Sequence, residues 1–79
     1  MFLLAAAKSF RLSNQLELAA DYSERLKLRE PMNLINLILL IEIYIDLKMY
    51  ARAKKILDNA LYVDSANTKL SELKKRLAI

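Results

Sequence analysis

Apolar residues recur along this chain at helical spacing, in five stretches separated by short polar breaks. The first stretch, Phe2 to Leu12, lines up Leu3, Ala6, Ala7 and Phe10 and stops at Ser13-Asn14. The second, Gln15 to Arg29, aligns Leu16, Ala19, either Tyr22 or Ser23, and Leu26. Glu17 and Asp21 lie near its start and Arg25, Lys27 and Arg29 near its end, the order that a helix dipole favours. Pro31 closes it, because the residue before a proline avoids the αR region. Asn33 is a natural N-cap for a third helix, Leu34 to Leu47, which ends at Lys48-Met49. A fourth helix is predicted over Tyr50 to Tyr62, with Tyr50, Ala53, Leu57, Ala60 and Leu61 facing inward. Asp64-Ser65-Ala66-Asn67 reads as a turn, and Asn67 caps a fifth helix, Thr68 to Ala78. Its Leu70, Leu73 and Leu77 share one face, against Lys69, Glu72, Lys75 and Arg76. Breaks of two to five residues set consecutive helices antiparallel.

The third stretch stands apart, with eleven apolar residues among the fourteen from Leu34 to Leu47. Asn36, Glu42 and Asp46 interrupt it, and a bilayer span needs about 20 apolar residues, so it reads as a buried helix. Its five isoleucines suit a buried strand, but strands usually run ~4–8 residues and no turn breaks the segment. A helix apolar nearly all round must be covered nearly all round. No basic region precedes the apolar run at Met1 to Ala7, as it would in a secretory signal. A cytoplasmic protein without membrane insertion is expected.

Composition narrows the chemistry. Seventy-nine residues allow one domain with a thin core. The chain has no Cys, His or Gly and a single Pro. Disulfides, the common zinc sites, imidazole acid–base catalysis and glycine-rich phosphate loops are thereby excluded. Leu, Ala, Lys and Glu favour helices, and residues suited to primed hairpin turns are few, so the expected class is all-α. Glu42 and Asp46 lie one helical turn apart and could do acid–base work, but no nucleophile or metal set accompanies them. The expectation is a non-enzyme without cofactor, metal or small-molecule substrate. The net charge is +4. Basic residues at Arg52, Lys54, Lys55, Lys69, Lys74, Lys75 and Arg76 alternate with Asp58, Asp64 and Glu72, without an aromatic platform. That pattern fits solvated helix faces better than a nucleic-acid surface.

A shift of 34 residues pairs Leu3 with Leu37, Phe10 with Tyr44, Leu16 with Tyr50 and Ala19 with Ala53. It also pairs Glu30 with Asp64, Pro31 with Ser65 and Asn33 with Asn67. The second unit shows Leu37, Leu40, Ile41 and Tyr44, then Tyr50, Ala53, Leu57, Ala60 and the Asp64–Asn67 turn. The first shows Leu3, Ala6, Ala7 and Phe10, then Leu16, Ala19, Ser23, Leu26 and Glu30-Pro31-Met32-Asn33. In this the chain resembles the tetratricopeptide repeat family: one repeat over about 2–33, a second over about 34–67, and a capping helix over 68–79. Ile41 and Leu26 depart from the pattern, being larger than the small residues the family prefers. The related pentatricopeptide family has a repeat one residue longer and no matching turn here.

The resemblance implies a right-handed stack of antiparallel helix pairs whose first-in-pair helices line a ligand groove. Carried over position by position, the groove would be formed by Leu4, Lys8 and Arg11, by Ile35, Ile38, Glu42, Ile45 and Asp46, and by Glu72 and Arg76. Ile38 and Ile45 are expected there without a core role. Such a groove suits an apolar or amphipathic helix or peptide, as in a small chaperone or assembly adaptor. It does not suit the chaperone carboxylate that some family members grip, since Glu42 and Glu72 would repel it. Two other readings stay open. The chain is a piece of a longer repeat protein, since Phe2 opens the first helix without a cap. Or it self-associates through the third helix as a homo-oligomer.

Overall fold

The computed structural model describes residues 2–78, and the domain limits at 1 and 79 lie outside them. Five helices and no strand occur among the described residues: α1 (Phe2–Leu12), α2 (Leu16–Arg29), α3 (Leu34–Asp46), α4 (Tyr50–Val63) and α5 (Thr68–Leu77). Each boundary lies within about one residue of the sequence expectation, a margin usual at fraying ends. Gln15 stands in the N-cap position of α2 rather than inside it, and Leu47 and Ala78 follow the last residues of α3 and α5. Val63 extends α4 by one residue beyond Tyr62.

Consecutive helices pack on each other, and α1 and α5 also touch α3, so α3 contacts all four others. Its apolar circumference requires this: Leu37, Leu39, Leu40, Ile41, Ile43 and Tyr44 are all buried. Ala7, Ala19, Ala53 and Ala60 are fully buried, and their small side chains let neighbouring backbones approach. Ile41 and Leu26 are also buried, so the two large departures from the repeat pattern fill core space. Leu70, Leu73 and Leu77 lay the apolar face of α5 onto the end of the stack. Tyr50, expected inside, is 46% exposed, and Leu61 is only partly buried.

The 34-residue period is written into the loops themselves. Asn33 Oδ1 accepts from Asn36 N at 3.1 Å, and Asn67 Oδ1 accepts from Leu70 N at 3.1 Å. The Asn33 amide donates to Glu30 at 3.0 Å, as the Asn67 amide does to Asp64 at 3.4 Å. The first loop of each pair repeats too. Gln15 N donates to Phe10 O and Met49 N to Tyr44 O, both at 2.8 Å. Asn14 N donates to Arg11 O at 3.0 Å and Lys48 N to Ile45 O at 2.9 Å. These are Schellman ends, which place the residue after the helix cap in the left-handed region. Asn14 and Lys48 both have φ of 61°.

Asparagine tolerates that conformation through its short side chain, whereas lysine bears the full steric penalty, about 1–2 kcal/mol. The single-residue change Lys48→Gly is expected to stabilise the protein by about 1 kcal/mol, read as a raised midpoint in urea with an unchanged slope. A lowered midpoint would mean that the Lys48 side chain contributes more than its backbone costs.

Candidate functional site

An open groove of about 380 Å³ lies between α1 and α3. The last turn and a half of α1 supplies Lys8, Arg11 and Leu12, and α3 supplies Ile35, Ile38, Leu39 and Glu42. The α3 residues recur at spacings of three and four, which is why one helix face can floor the groove. Leu39 is buried beneath it, Ile38 is half-buried, and Ile35 and Leu12 are 62% and 89% exposed. The groove is therefore apolar at its centre and along one lip.

Charges frame it in a connected line. Arg11 Nε donates to Asp46 Oδ2 at 2.9 Å, and its Nη1 lies 3.6 Å from Glu42 Oε1. Glu42 Oε2 reaches Lys69 Nζ of α5 at 3.3 Å. The carboxylate of Glu42 thus ties α1, α3 and α5 together at the edge of the groove. These groups are partly solvated, so each pair contributes at most about 1 kcal/mol; their main effect is to hold side chains in place. Glu42 and Asp46 each have a cation partner, Arg11 reaching both carboxylates and Lys69 reaching Glu42.

Compared with family models, curated proteins and solved structures, the chain matches none.

Five residues expected in the groove line it: Lys8, Arg11, Ile35, Ile38 and Glu42. Leu4 does not. It is 8% exposed and belongs to the core with Ala7, because α1 packs against α2 and α3 at once and covers that turn. Ile38 and Ile45, expected to lack a core role, both pack partly against the core. Ile45 and Arg76 lie outside the groove lining, and Glu72 and Arg76 are exposed on α5. Leu12, Leu39 and Lys69 join the site without having been expected there. Leu12 had a signal, as a large apolar residue just before a polar break; Leu39, one apolar residue among eleven in its stretch, had none.

A second polar cluster joins α2, α3 and α4. The Tyr44 phenol donates to Glu24 Oε2. Burial, with Glu24 beside it, pushes the phenol up from 10.0 to about 12, against the opposing pull of Arg52.

Proposed function

We propose that this chain is a protein–protein interaction module of the tetratricopeptide type, a right-handed helical stack. Its α1/α3 groove takes an apolar or amphipathic helical segment of another protein. The observation that carries this reading is the apolar pair Leu12 and Ile35, left open to solvent above Ile38 and Leu39 within a framed groove. Exposed large apolar residues that adjoin a shaped recess mark interaction sites, whereas scattered single ones do not. An amphipathic helix would lay its apolar stripe on this floor and set polar residues against Lys8 and the Arg11–Glu42 edge. A chaperone or assembly adaptor that shields such a helix is the use that fits best. The 34-residue recurrence of loop hydrogen bonds supports the repeat reading. No helix of the described residues is long and apolar enough to cross a membrane.

The test is fluorescence anisotropy with a designed amphipathic peptide carrying Leu along one face, against a scramble of the same composition. Leu12→Ser with Ile35→Ser removes exposed side chains and should leave the circular dichroism and melting temperature near wild type. Covering each is worth roughly 1.5 kcal/mol or more, so the double variant is expected to bind about a hundredfold more weakly. Unchanged affinity in a folded double variant would contradict the groove assignment. Ile38 and Ile45 are poorer probes, because their core contacts confound folding with binding.

A further inference from the structure

A second recess, of about 350 Å³, lies between α2 and α4 and falls in the size range of small-ligand sites. Glu24 and Lys27 of α2 form one wall, Arg52, Lys55 and Asn59 of α4 form the other, and Tyr44 of α3 contributes between them. Arg52, Lys55 and Asn59 stand at helical spacings of three and four, so one face of α4 turns all three toward the recess. The lining carries three cations and one carboxylate. That carboxylate is already engaged: Glu24 accepts from the Tyr44 phenol, and its Oε1 lies 3.1 Å from Lys27 Nζ. Arg52 and Lys55 form no salt bridge among the described residues. The recess therefore holds two positive charges without a carboxylate partner, Arg52 lying beside the Tyr44 phenol, and the Asn59 amide as a neutral donor next to them.

We propose that this recess is an oxyanion site that takes a phosphate group, free or carried on a small ester. Arg52 offers a planar fork that can hold two phosphate oxygens at once. Lys55 adds a point charge, and Asn59 Nδ2 donates to a third oxygen. Glu24 is the one opposing charge, and its ties to Lys27 and Tyr44 reduce its repulsion of the anion. The site is separate from the α1/α3 groove and shares no lining residue with it.

The experiment is an NMR titration of the full chain at fixed ionic strength, first with inorganic phosphate and then with glycerol 2-phosphate. Saturable shifts confined to α2, α4 and Tyr44 are expected, with a dissociation constant on the order of millimolar. Tighter binding of the ester would assign the site to a carried phosphate, and equal or weaker binding to the free ion. Arg52→Gln with Lys55→Gln should weaken binding about tenfold or more, since both side chains are exposed and their loss leaves the fold intact. Lys74→Gln with Lys75→Gln removes the same charge from α5 and should leave the affinity unchanged. Glu24→Gln should tighten it. Shifts that grow linearly without saturation would overturn the proposal, as would equal weakening by the α4 and α5 pairs, because both describe a diffuse response to charge.

Discussion

A chain ended after Ala66 is expected to lose its cooperative fold. The truncation removes Leu70 and Leu73, both fully buried, and Leu77, 7% exposed. It also bares the surfaces of α3 and α4 that α5 covers. Burying a leucine side chain contributes roughly 1.5–3 kcal/mol, so three of them amount to about 5–9 kcal/mol. A domain of this length has a total stability of only about 4–12 kcal/mol. In a stacked-helix architecture each layer depends on its neighbour, and a terminal helix with a polar outer face keeps the last layer dry. The expected product is a loosely packed or aggregating species, seen as a broad melt and dye binding by exposed apolar surface. A sharp thermal transition at the full chain's temperature would mean that α5 is an appendage.

The second large effect is expected at a polar contact inside the core. Ser23 Oγ donates to Asn36 Oδ1 at 2.7 Å, and Asn36 Nδ2 donates to the Ser23 carbonyl at 3.0 Å. Both residues are completely buried, and the pair links α2 to α3. Ser23→Ala takes away the donor and leaves a buried amide oxygen unpaired, which costs about 1–3 kcal/mol. Asn36→Leu alone strands the Ser23 hydroxyl and inserts a larger apolar side chain, at a comparable cost. The two together remove both orphaned side-chain groups, so the double variant should be more stable than the sum of the single losses implies. Urea denaturation of the four proteins measures the coupling. Additive losses would mean that the two side chains do not depend on each other. Tying a unique pair of helix positions together also opposes sliding of α2 along α3, where a purely apolar contact would tolerate it.

These two sites differ in how visible they were. The apolar stripe of α5 is local and periodic, and Asn67 before it announces the cap, so sequence alone placed that helix and its buried face. Pro31, Asn33 and Asn67 likewise fixed boundaries through backbone chemistry that acts over three or four residues. The Ser23–Asn36 contact is different in kind. In sequence, Asn36 is an interruption in an apolar run and Ser23 an alternative to Tyr22; their pairing depends on how α2 and α3 cross. Both halves of that alternative are in use, with Ser23 in the core and Tyr22 half-buried against Phe10, ring centroids 5.3 Å apart. The left-handed Lys48 was hidden for a related reason. Glycine is the usual signal of such a position, and this chain has none.

At the groove, Ile35, Ile38 and Glu42 could be read because a single face of α3 carries them, whereas Ile45 and Asp46, further along the helix, lie outside the lining. On α1, Leu4 lies four and seven residues before Lys8 and Arg11, on the same helix face. Leu4 was thus assigned to the groove although the packing of α1 against two helices buries it. The Tyr44–Glu24 contact and the recess beside it combine residues from three helices, and no local pattern points to it.

The groove between α1 and α3 is proposed as a surface for an apolar helical segment. Mapping by backbone amide NMR, with the designed amphipathic peptide titrated into the labelled chain, tests that proposal residue by residue. Saturable shifts at Lys8, Arg11, Leu12, Ile35, Ile38, Leu39 and Glu42, absent with the scrambled peptide, are the predicted result. Shifts centred on α4 or the exposed face of α5, or identical shifts with the scramble, would contradict it.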